Sequence, residues 1–245
     1  MLDILVTSSA PTESIDNTIE NGRFSKSLVA TLEKYDYWFL PVVNPDGYEY
    51  SHIEDRLWRK SRSGSSSFYG CVGTDLNRNY DFHWSETGSS SSSCSPTYAG
   101  PMPFSEPETR AVAGVLDENA CRIKMYITLH AFSQMILLPY GYGPVRAKNH
   151  KELKRIGDAG RRAIRSYRGT SYRVDTTAII LYPASGGSDD YAHGHSNISL
   201  SFTIELPDTG ESGFLMPPNE IVPIGRETSM GIAAMVNAIE VSKFG

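Results

Sequence analysis

This sequence predicts an α/β fold, a mixed twisted sheet sandwiched between helices in a single domain, and three observations carry that prediction. Largely apolar, partly β-branched runs at 123–129 and 198–204 read as strands without a wet face, so both faces of their sheet are covered. Runs with apolar residues at helical spacing alternate with them, the pattern of a sheet layered between helices. A length of 245 residues, 40% hydrophobic and 21% charged, suits one such domain, 1–245, with a sizeable core.

Taken in order, the chain opens on Met1-Leu2-Asp3-Ile4-Leu5-Val6-Thr7. That stretch has neither a basic region nor a long apolar run and does not read as a signal peptide. The first strand is expected at Tyr37–Val43. Two serine-rich tracts, Ser63–Ser67 and Ser89–Ser93, read as exposed loops. Ser105-Glu106-Pro107-Glu108 has the form of a capping box with proline in the first turn, and predicts a helix to about Leu116. Strands follow at Ile123–Leu129 and Met135–Pro139. Leu153, Ile156, Ala159, Ala163 and Ile164 share one face of a basic helix. Ala178–Tyr182 and Ile198–Glu205 complete the strands, and from Pro218 onward Ile221, Ile224, Ile232, Met235, Val236 and Ile239 mark a long last helix.

A net charge of -5 with both signs mixed gives no basic face for a nucleic acid. No apolar run approaches the roughly 18 residues of a membrane span. A monomer is expected. Of the three cysteines, Cys71 and Cys94 bracket a polar loop and are either a disulfide or two thiols. Cys121, just ahead of an apolar strand, is expected to be a buried free thiol.

The residues able to do chemistry are scattered. His130 and Glu205 each end a predicted strand, and ligands collect beyond the carboxyl ends of strands in open α/β sheets. A histidine and a glutamate there suit a hydrolytic metal centre. Arg59 follows the aromatic anchor Trp58, and Asn77-Arg78 sit on a loop; arginine's planar fork matches a carboxylate or an oxyanion. Tyr182 opens the glycine-bearing loop through Asp190, which reads as flexible enough to close over a ligand. His193-Gly194-His195 reads as a solvated turn, and Asn197-Ile198-Ser199 has the form of a glycosylation sequon beside a strand.

Seven motifs then fall in one order: Asn44-Pro45-Asp46-Gly47, Leu57-Trp58-Arg59-Lys60, Asp75 to Asn79, Leu129-His130, Tyr140-Gly141-Tyr142, Tyr182 with Ala184 to Ser188, and Phe202-Thr203-Ile204-Glu205-Leu206. In order and spacing the chain resembles the A/B-type zinc metallocarboxypeptidases from about Tyr37 to its C-terminus. The resemblance implies a secreted exopeptidase that takes the C-terminal residue from peptides with a zinc-activated water. It implies His130 as a zinc ligand, Glu205 as the general base and Arg59 as the oxyanion holder. It assigns Asn77 and Arg78 to the substrate's terminal carboxylate, Tyr182 to closure over the bound side chain, and Phe214 to an apolar wall. Cys71 and Cys94 stand where the family carries a disulfide. Asp189 maps to the base of the side-chain pocket, where an acid goes with removal of C-terminal Lys or Arg; its neighbour Asp190 is the other candidate for the acid that pairs with the basic side chain.

The pattern is broken in one place that matters. The family's remaining two zinc ligands come from a His-x-x-Glu element upstream of Asn44, and Met1 to Ile4, where the spacing places it, contain neither residue. His52-Ile53-Glu54 has the wrong step, and the one element with the right step, His83-Trp84-Ser85-Glu86, lies downstream of Asn44 rather than upstream of it. The expectation is an incomplete Zn²⁺ site and an inactive polypeptide, the alternative being a non-catalytic relative that binds peptide C-termini. Ala131-Phe132 also stands where relatives often have Ser-Tyr, and Pro207 where arginine is common. Residues 1–35 match the family poorly and replace a helix expected behind the metal loop.

Overall fold

A computed structural model of the chain describes residues 2–8, 31–32, 34–64 and 70–241. Most of the poorly matching first 35 residues, and positions 65–67 of the first serine-rich tract, lie outside the described residues.

The predicted α/β class is the observed one. Six strands form one mixed sheet: β1 Leu2–Ser8, β2 Tyr35–Leu40, β3 Ile123–Ala131, β4 Met135–Leu138, β5 Arg173–Thr176 and β6 Ser201–Leu206, in the order β2-β1-β3-β6-β4-β5. β3 and β6 run parallel at its centre, while β1 pairs antiparallel with both β2 and β3. The helices are α1 Pro45–Ile53, α2 Pro107–Asn119, α3 His150–Arg168, the short α4 Thr177–Ile180, α5 Ser188–Gly194 and α6 Ile221–Val241.

Alternation along the strands builds two cores. Met125 and Ile127 of β3, with Phe202 and Ile204 of β6, pack under Ile156 and Ile164 of α3 and Met235 and Val236 of α6. Tyr126 of β3 points the other way, against Leu116 of α2 and Tyr191 of α5. A side chain such as Leu116, 1% exposed, contributes about 1.5–3 kcal/mol by leaving water. α3 and α6 cross closely because small residues meet at the contact. A Cβ on Gly160 would lie 2.7 Å from Met235 Cγ, and one on Gly231 would lie 2.8 Å from Ile164 Cγ1.

Several local expectations need correction. The helix α2 is not opened by a Ser105/Glu108 box. Its N-cap position is Glu106, and the distant Asn79 takes over the capping, its Oδ1 accepting from Glu106 N at 3.2 Å and Thr109 Oγ1 at 2.8 Å. The run Ala178–Tyr182 is not a strand. The ladder with β4 ends at Thr176, Thr177 Oγ1 donates to Leu138 O, and the chain turns into α4, leaving Ile179 and Tyr182 exposed. Strand β6 begins at Ser201 rather than Ile198, so Asn197 lies on an exposed turn ahead of it. His193 and Gly194 lie in the last turn of α5 and are half-buried, so of that segment only His195 is an exposed turn residue. Cys121 is exposed, because the turn between α2 and β3 surfaces before Ile123 dips back into the core.

Candidate active site

Parallel pairing of β3 with β6 sets the site's floor. His130 and Glu205 are register partners at the carboxyl ends of these strands, with Thr128 and Thr203 partnered two residues back on the same face. Residues far apart in sequence become neighbours at the spacing of adjacent strands, roughly 4.8 Å.

A loop held by Asp75 forms one wall. Asp75 is buried, and its Oδ1 accepts from Asn77 N at 3.2 Å, closing the short turn Leu76–Arg78. Its Oδ2 receives Arg59 Nε at 3.0 Å and Nη2 at 2.9 Å, a two-pronged grip that fixes the guanidinium plane. Arg78 is buried and oriented by donating to Gly88 O and Asn77 O. Asn77 Oδ1 accepts from Ser188 N, tying this loop to the start of α5.

The opposite end is acidic. Asp189 is buried, its Oδ2 accepting from Thr203 Oγ1 at 2.8 Å. Asp190 instead accepts from Gly141 N at 2.9 Å and Tyr142 N at 3.0 Å, anchoring the Tyr140-Gly141-Tyr142 turn. Of the two acids, Asp189 is the one that lines the cleft.

All eight residues singled out from the sequence, Arg59, Asn77, Arg78, His130, Tyr182, Asp189, Glu205 and Phe214, line a single cleft of about 260 Å³. Tyr182 and Phe214 stand half-exposed at its mouth, Phe214 edge-on to Phe132 with centroids 5.0 Å apart. The disulfide Cys71–Cys94 is formed, with Cα atoms 5.1 Å apart. The sequence reading passed over Asp75 and Thr203 as separate contributors. An aspartate two residues ahead of Asn77 is an Asx-turn signal that marks Asp75; Thr203 carries no local signal, because only the sheet register brings it to Asp189.

Electrostatics differ sharply along the floor. Burial pushes the Glu205 carboxyl up to about 7, against the pull of Arg59. Burial, with Arg59 and Arg78 nearby, lowers the His130 imidazole to about 3, so it is neutral. Burial also raises Asp189, opposed by the bond from Thr203 and by Arg78. A carboxylate near neutrality, a neutral imidazole and two fixed guanidiniums suit recognition of an anion and withdrawal of a proton.

These donors do not make a zinc site. His130 Nε2 is buried without a hydrogen-bond partner, as a ligand nitrogen would be. A catalytic zinc nevertheless needs three protein ligands. Among the described residues no group of three His, Cys, Asp or Glu is placed to hold a metal. The neighbouring strand β1 runs antiparallel to β3 with Leu2 opposite Leu129, so its carboxyl end, Ser8, lies at the opposite end of the strands from His130.

The family model for zinc carboxypeptidases matches residues 5–231. Carboxypeptidase B of Astacus astacus is 42% identical over 209 residues, 85% of this chain and 69% of that protein. The zinc carboxypeptidase of Simulium vittatum is 46% identical over 197 residues, 80% of this chain and 64% of that protein. Among solved structures, bovine thrombin-activatable fibrinolysis inhibitor in complex with tick carboxypeptidase inhibitor superposes with a TM-score of 0.80 at 42% identity, over 84% of this chain and 70% of that one. The chain thus spans about two thirds of these relatives. Family model, relatives and sheet agree, and this chain belongs to the zinc carboxypeptidase family.

Proposed function

We propose that this chain carries the substrate-gripping face of a zinc exopeptidase that removes C-terminal Lys or Arg, and that the polypeptide of 245 residues binds such termini without cleaving them. Arg78 and Asn77 take the terminal carboxylate, Asp189 takes the basic side chain, and Arg59 faces the last peptide carbonyl. Tyr182 closes the mouth, with Phe214 as an apolar wall. Glu205, titrating near 7, holds or gives up a proton at neutral pH, as a general base requires. In the family, zinc supplies an activated water; the donors described above do not fit it, so no hydrolytic step is assigned to this polypeptide. The reading takes the chain to be one domain, monomeric and secreted.

The observation that carries this is the convergence of Arg59, Arg78, His130 and Glu205 on one cleft whose buried end is acidic. A desolvated carboxylate facing a cation at about 4 Å favours it by up to about 4 kcal/mol at an effective dielectric near 20. Calorimetry with peptides ending in Lys, Leu or Glu, each as free acid and amide, tests the idea. Binding should favour Lys by roughly tenfold or more, and amidation should abolish it. Metal analysis should find zinc well below one per chain, with no amino acid released. Stoichiometric zinc with turnover would overturn the inactivity, and preference for Leu would overturn the role of Asp189.

A further inference from the structure

Between the sheet and α2 lies a separate cavity of about 430 Å³ that shares no lining residue with the cleft. Strand alternation and register build its floor. Asp3 is partnered by Leu40 on one side and Thr128 on the other, and Leu5 by Trp38 and Tyr126. All six therefore stand on the sheet face that packs toward α2. The roof is Glu108, Val112 and Leu116, which share one face of α2 at helical spacing. We infer that this cavity binds a small organic cation, an ammonium group on an apolar body, with Asp3 receiving the charge. The inference does not depend on the reading given for the cleft.

Three features point to that occupant. First, the cavity holds acceptors without donors. Asp3 is 3% exposed, and neither of its carboxylate oxygens has a hydrogen-bond partner. The Tyr126 and Thr128 hydroxyls beside it are also unpartnered, and Glu108 Oε2 is a further buried acceptor with none. A buried carboxylate in that condition is costly until a donor reaches it. An ammonium brings three donors and no acceptor. Second, among the described residues no Lys, Arg or His lines the cavity. Arg122 lies over the Trp38 ring, 5.6 Å from its centroid, and is not part of the lining. Third, the remaining walls are apolar and the rim is open, with Leu40 41% and Val115 40% exposed. Hard metal cations take six or more oxygen ligands, which two carboxylates among apolar walls do not offer. An amine with a hydrocarbon body matches both halves of the lining, and the volume suits a molecule with one ring.

The test is calorimetry on the whole chain with phenylpropylamine and with phenylpropanol, its neutral counterpart of the same length. The pH is 8, above the value of about 6 to which burial raises the Asp3 carboxyl. The amine should bind about tenfold or more tighter than the alcohol. Asp3→Asn, which keeps the side-chain shape, should remove that advantage and leave alcohol binding unchanged, which also verifies that the variant is folded. Asp189→Asn should leave the amine's advantage intact. Equal affinity for the two probes, or binding of neither, would overturn the proposal. An advantage lost in Asp189→Asn and kept in Asp3→Asn would place the amine in the cleft and overturn it too.

Discussion

At the residue scale, His130 and Glu205 sit side by side on parallel strands, and burial moves them in opposite directions. Glu205 has a folded pKa of about 7, above its ordinary 4.5, so its contribution to stability is complete below pH 4.5 and is lost as pH rises through 7. His130, lowered to about 3, behaves oppositely: its contribution is complete above 6.5 and falls as pH drops toward 3. Glu205→Gln removes the first of these and leaves the second. Urea unfolding at pH 5 and pH 8 should show the variant gaining on the parent by on the order of 2 kcal/mol at the higher pH, after allowance for partial solvent access. A variant whose stability tracks the parent at both pH values would mean that the Glu205 carboxylate is solvated. The site's principal side chains were legible at this scale because they sit in short motifs with strict local order. Thr203 was not, since nothing in the chain near it signals the bond to Asp189.

At the scale of elements, the segment Tyr182–Asp190 is the instructive miss. Its glycines suggested a flexible loop, yet Ser185 to Asp190 are all buried and Ser188 opens a helix. The glycines there answer to close approach. Gly186 has φ +72, and a Cβ on it would lie 2.4 Å from Arg78 O. Gly186→Ala should therefore displace the backbone that positions Arg78. The expected result is a loss of more than about 1 kcal/mol of stability together with weaker binding of a Lys-terminated peptide. A variant with unchanged melting temperature and affinity would show that the loop yields freely. The same tertiary override explains Ala178–Tyr182: a short apolar run is ambiguous between strand and helix, and the end of the β4 ladder decides it.

At the scale of the whole molecule, two covalent expectations part company. Cys71 and Cys94 pair across a sequence separation of 23 residues, whereas Cys121 stays free and faces solvent. One thiol should therefore react with an aromatic disulfide reagent in the native protein, and two more only after reduction. Zero or three native thiols would contradict this arrangement. Reducing the pair should lower stability by roughly 3 kcal/mol.

The chain by itself determined the α/β class, the central strands β3 and β6, the three longer helices and the principal side chains of the cleft, because each is written in local periodicity or in a compact motif. The tertiary structure alone decided which way β1 runs, which of Asp189 and Asp190 faces the cleft, and that Asn79 caps a helix 27 residues away. Those outcomes depend on contacts between segments distant in sequence. Side-chain pattern reports which face is buried but not the direction in which a strand pairs, and a local motif cannot say which distant amide or hydroxyl will reach a buried carboxylate first.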